Sequence, residues 1–80
     1  MPADDLDERL CQALGLWVRE LRHRRGFTQP VCAERAGISV AYLSEIETGR
    51  RNPTVAIVVR LARALDVKPS QLMGRLDQIE

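Results

Sequence analysis

Between Phe27 and Leu43 the chain repeats one local signal. Phe27-Thr28 is followed by Cys32, and Ile38-Ser39 by Leu43, so each hydroxyl has an apolar residue just before it and another four residues after it. This is the pattern of a helix start. The hydroxyl accepts from a backbone N–H of the first turn, and the two apolar residues close over the cap as a hydrophobic staple. Gly37 lies between the two copies, and a glycine can take the left-handed conformation that ends one helix and turns the chain into the next. The spacing therefore predicts two short helices joined by a tight turn, the second within the stretch AGISVAYLSEIETG and stopped by Gly49. Cys32, Ala33, Ala36, Ile38, Leu43 and Ile46 are the expected inward contacts. Ala33 is small because the two helices must approach closely there.

The remaining periodicity is also helical. Asp5 and Glu8 have capping-box spacing, and Leu6, Leu10, Leu14, Trp17, Val18 and Leu21 recur at steps of three and four up to a stop at Gly26. That first helix spans about 20 residues, or roughly 30 Å. Arg50-Arg51-Asn52-Pro53 reads as a loop, and Thr54 as the cap of a fourth helix reaching about Leu65. VAIVV alone is ambiguous between helix and strand, and its continuation RLARAL decides for helix. Pro69 suits the first turn of a fifth helix carrying Leu72, Met73, Leu76 and Ile79, with Lys68 a poor cap. The expectation is an all-α, compact five-helix bundle: a flexible stretch at 1–5 and a single domain at 6–80.

A chain of 80 residues supports one modest core and leaves little room for a deep catalytic cleft. No nucleophile–base pair can be assembled, so an enzyme is not expected. His23 is the single histidine, and Cys11 and Cys32 lie in no CxxC pattern. No metal site, cofactor or small-molecule ligand is implied, and the cysteines read as small, partly buried apolar residues. The acidic start MPADDLDE is unlike a signal peptide, and no apolar run approaches the roughly 18 residues of a membrane span. The expected location is the cytoplasm. The net charge is only +1 but unevenly spread: residues 9–25 carry +4 and residues 50–63 carry +4, with a weakly acidic stretch between them. Folding could join the two basic clusters into one positive face.

Two helices around a glycine turn make a helix-turn-helix candidate over residues 29–48. Here the chain resembles the phage-repressor-like (Xre/Cro-type) helix-turn-helix family. The resemblance spans about Leu14 to Met73, through LGLWVRELRHRRGFTQ, AERAGISVAYLSEIETGRRNPT and LARALDVKPSQL. It implies a lambda-repressor-like five-helix fold, a homodimer, and double-stranded DNA carrying an inverted repeat read by the helix at 39–48. Carried over position by position, it implies that Thr28, Gln29 and Ser39 hold phosphates. Val40, Ala41 and Glu45 would face base edges, with Ser44 nearby and Tyr42 and Thr48 at the DNA backbone. Arg50, Arg51 and Asn52 would reach phosphates beyond the helix, and Arg24 and Arg25 could extend that track. Arg22 and Glu47 match a structural pair tying the first helix to the end of the third.

The chain departs from the family pattern at Pro30-Val31, where acidic residues are usual, and at Val40-Ala41, where polar ones are common. Val40 and Ala41 suit thymine methyl groups, and Glu45 suits a cytosine amino group. With so few donors, operator choice would lean on DNA shape. Ile57, Leu72, Leu76 and Ile79 are candidates for a dimer interface, against the alternative that Leu6, Leu10, Ala13 and Trp17 pack on the fifth helix. The functional expectation is a transcriptional regulator, a repressor or autoregulatory switch. The alternative is a protein-interaction module, such as an antitoxin or adaptor, that keeps the fold.

Overall fold

The computed structural model describes residues 2–79, with side chains from Asp5 onward. Five α-helices follow in order: α1 Pro2–Arg24, α2 Gln29–Ala36, α3 Val40–Glu47, α4 Val55–Ala64 and α5 Pro69–Met73, then a 3-10 turn at Gly74–Gln78. No strand occurs among the described residues. Hydroxyl caps open the middle three helices. Thr28 accepts from Val31 N–H at 3.3 Å, Ser39 from Tyr42 N–H at 3.0 Å and Thr54 from Ile57 N–H at 3.2 Å. Lys68 lacks such an oxygen, and its place is taken from the other side: its own N–H donates to the Gln71 side chain at 2.8 Å.

The core collects one stripe from each helix. Leu14, Val18 and Leu21 of α1 meet Cys32, Ala33 and Ala36 of α2, Leu43 and Ile46 of α3, Val58, Leu61 and Ala62 of α4, and Leu72 of α5. Apolar burial is the main stabilising term in so small a domain. Cys32 is fully enclosed and Cys11 half-buried, both as free thiols. Burial pushes both thiols above their ordinary range. No described helix is long and apolar enough to cross a membrane.

Three expectations need correction. The first helix starts at Pro2 rather than Asp5, so residues 2–5 belong to α1, while Met1 lies outside the described residues. The fifth helix stops at Met73. Its Gln71 carbonyl accepts from the Gly74 N–H, a bond of 3-10 type, and from the Trp17 indole N–H at 3.0 Å. The tightened chain then lays Leu76 against the core. Leu72, a candidate for the dimer interface, is 0% exposed. It is a core residue, because α5 packs against both α1 and α4.

Trp17 anchors this end of the molecule. Arg75 stands 3.9 Å and Arg24 5.3 Å from the ring centroid. Both arginines reach the same Glu20 oxygen, Arg24 at 2.6 Å and Arg75 at 3.8 Å. The expected packing of Trp17 on the fifth helix is thus present, whereas Leu6 remains 39% exposed.

Candidate nucleic-acid interface

The α2–α3 unit is fixed by its turns. Gly37 has φ +72°, the Gly37 N–H donates to Glu34 O at 3.1 Å and the Ile38 N–H to Ala33 O at 3.0 Å. This paired bonding satisfies the last carbonyls of α2 and aims the chain directly into α3. Gly49 repeats it after α3 at φ +78°, with Arg50 N–H on Glu45 O at 2.8 Å. Behind α3 lies α1. A Cβ at Gly15 would overlap the Ile46 carbonyl oxygen and stand 2.9 Å from that of Glu47. The two helices therefore cross with backbone against backbone, a contact the sequence reading missed.

A buried polar cluster sets the rotation of α3. Arg22 Nε donates to Glu47 Oε2 at 2.6 Å and Nη2 to Oε1 at 3.1 Å, while Nη1 donates to the Phe27 carbonyl at 2.9 Å. The ion-paired side chains are only 9% and 3% exposed. The hydrogen bond to Glu47 pushes the Arg22 guanidinium further up, against the opposing effect of burial. Gln29 Nε2 joins the same carboxylate at 3.0 Å. One carboxylate thus ties together the end of α1, the start of α2 and the end of α3. Among the described residues no buried side-chain nitrogen or oxygen lacks a partner.

With Leu43, Ile46 and Glu47 held inward, α3 turns Val40, Ala41, Ser44 and Glu45 outward. Val40 is 42% exposed, Ala41 is exposed, and Tyr42, Ser44 and Glu45 are half-buried. The Ser39 hydroxyl is occupied by its cap, and that of Thr28 likewise. Thr48 Oγ1 donates back to Ser44 O at 3.0 Å and Glu45 O at 3.2 Å. Beyond the helix, Arg50, Arg51 and Asn52 are exposed. Arg51 Nε donates to Glu45 Oε1 at 2.8 Å, and its guanidinium carbon lies 5.5 Å from the Tyr42 ring centroid.

Arg24 and Arg25 do not join this surface as free cations. Arg24 is engaged with Glu20 and Trp17, and Arg25 donates to the Asp66 carbonyl at 2.9 Å. Arg19 entered the sequence reading only as one charge of the basic cluster at 9–25. It borders an open pocket of ≈ 350 Å³ with Gln12, Leu16, Glu47 and Thr48, beside the end of α3. Its signal was helical spacing: it stands three residues before Arg22, which faces Glu47.

A long helix backing two short ones joined by a glycine turn, with the second presenting a small-residue face bordered by arginines, is the arrangement on which comparison turns. The model of a helix-turn-helix domain family matches residues 13–73. The chain belongs to the helix-turn-helix family. Its relatives are named as regulators rather than enzymes. An uncharacterised HTH-type transcriptional regulator, y4dJ of Sinorhizobium fredii, is 45% identical over 58 residues, 72% of this chain and 75% of that protein. The immunity repressor of Bacillus phage phi105 is 34% identical over 61 residues, which cover 76% of this chain but only 42% of the repressor. Among solved structures, the restriction-modification controller protein C.AhdI of Aeromonas hydrophila superposes with a TM-score of 0.76 at 34% identity, covering 78% of this chain and 94% of that one. Over the matched region this helix-turn-helix chain is thus similar in fold to that controller protein.

Proposed function

We propose that the chain is a transcriptional regulator that binds an inverted-repeat DNA operator as a homodimer, with α3 in the major groove. The observation that carries this reading is the outer side of α3. Its small, largely uncharged face stands clear of the fold, and Arg50 and Asn52 are exposed directly beyond it. Small side chains let a helix approach base edges closely, and basic side chains at its end supply the phosphate contacts that set its register. The starts of α2 and α3, capped by Thr28 and Ser39 with Gln29 next to the first, support this reading as helix N-termini suited to phosphates. Val40 and Ala41 contact thymine methyls, Ser44 and Glu45 meet base edges, and Tyr42 and Thr48 meet the backbone. The repressor and controller names of the relatives support the regulatory part.

Dimerisation rests on a second surface, which begins beside Asn52. Leu10, Leu14, Val55, Val58, Met73 and Leu76 line an apolar groove of ≈ 270 Å³. A second copy would cover this groove, together with half-buried Ile57 and Ile79. Two α3 helices about 34 Å apart would then reach successive major grooves.

Selection from random duplexes, with a salt series on the winners, tests the proposal. The expected outcome is an inverted repeat and an affinity that falls steeply with salt. Arg50→Ala should weaken all duplexes about evenly, and Val40→Ser should alter preference. Binding without selected sequence, and insensitive to both changes, would favour a protein-interaction module instead.

A further inference from the structure

We propose that Arg51 governs base choice through Glu45 and is not an independent grip on phosphate. The proposal rests on the DNA-binding reading above and concerns two adjacent arginines that the fold treats differently. Arg50 is exposed, and its side chain has no hydrogen bond or ion pair among the described residues. The turn after α3 folds residue 51 back over the last turn of that helix: Gly49 N–H donates to Ile46 O at 3.1 Å and Arg50 N–H to Glu45 O at 2.8 Å. The Arg51 guanidinium is thereby brought onto Glu45 Oε1 at 2.8 Å and 5.5 Å from the Tyr42 ring centroid.

Glu45 is the position where such a clamp matters. Glu47, the other acid of α3, is buried on Arg22 and Gln29. Val40 and Ala41 have no side-chain hydrogen-bonding groups, so Glu45 is the strongest base-reading group on the outward face. A lone carboxylate entering a groove lined by phosphates is repelled and free to change rotamer. Held by Arg51, it is charge-compensated and fixed by a charge-assisted bond. Its second oxygen, Oε2, takes no hydrogen bond among the described residues and is available to a donor on a base edge, the amino group of cytosine being the fitting one. Arg51 also keeps Tyr42 beneath it, so its removal loosens two groups of the reading face together.

The test compares the unsubstituted chain with Arg51→Ala, Arg51→Lys, Glu45→Gln, Arg50→Ala and the Glu45→Gln/Arg51→Ala pair, all checked for unchanged thermal unfolding. Each is titrated against its selected duplex, every single-base change of that duplex, and a random duplex. Arg51→Ala is expected to cut discrimination by roughly tenfold at the same base pair that Glu45→Gln affects. The double substitution should do no more than either single one. Arg51→Lys should recover only part, since an ammonium cannot reproduce the planar Nε contact and stacking. Arg50→Ala should lower affinity evenly and reduce the salt slope by about one. If Arg51→Ala instead acts as Arg50→Ala does, evenly and additively with Glu45→Gln, the proposal falls while DNA binding stands. If the unsubstituted chain binds no duplex, both readings fall.

Discussion

Around Glu47 the chain has spent its polar groups on itself, whereas at the far end of α1 it leaves apolar groups facing water. In the first region a single carboxylate takes bonds from Arg22 and Gln29, and left-handed glycines close the helices on either side. In the second, Leu6 is 39% exposed, and Val55 and Met73, 81% and 41% exposed, line an open apolar groove. The contrast separates two demands. A reading helix must keep one orientation before its target arrives, so its support is completed within the chain. A surface that meets a partner keeps its apolar area uncovered until then.

The comparison can be broken most severely at Glu47. Glu47→Ala strands a buried guanidinium and should cost about 3–5 kcal/mol, read as a lower denaturant midpoint. Unfolding unchanged by this substitution would show that the cluster does not hold α3. Gly15→Ala is next, because the new methyl overlaps backbone of α3. A loss of about 1–3 kcal/mol is expected by thermal unfolding, along with weakened DNA binding as α3 is pushed away. At the other end the effect should be on association and not on folding. Val55→Ser and Met73→Ser should each stay within about 0.5 kcal/mol in unfolding of the monomer, yet shift the sedimenting species from dimer towards monomer. A chain that sediments as a monomer at tens of micromolar, with operator present, would remove the reason for leaving that end uncovered.

How much of this was legible in the chain depends on the distance over which each signal acts. Caps and glycine turns are local, so Thr28, Gly37, Ser39 and Gly49 revealed α2 and α3 before any packing was known. The family resemblance supplied the Arg22–Glu47 pair across 25 residues, but not the share of Gln29 in it. Gly15 carried no local signal: a glycine inside a helix reads only as a weak helix former, and its use appears once α1 crosses α3. The Arg51–Glu45 clamp was hidden because the two residues are six apart across a turn, outside helical spacing. Leu72 was misread because a continuous fifth helix would align it with Leu76 and Ile79. The Gln71 carbonyl, shared between Gly74 and Trp17, ends that regularity.

The shared carbonyl also makes Trp17 an optical gauge. The chain has 1 Trp and 1 Tyr. The indole is hydrogen-bonded to the C-terminal segment beneath Arg75, and the phenol lies beside Arg51 on α3. Emission from the indole therefore follows undocking of α5 and the 3-10 turn, while the tyrosine signal follows the reading helix. Unfolding traced at both wavelengths distinguishes a molecule that melts as one unit, with coincident curves, from one whose covered and uncovered ends let go in turn.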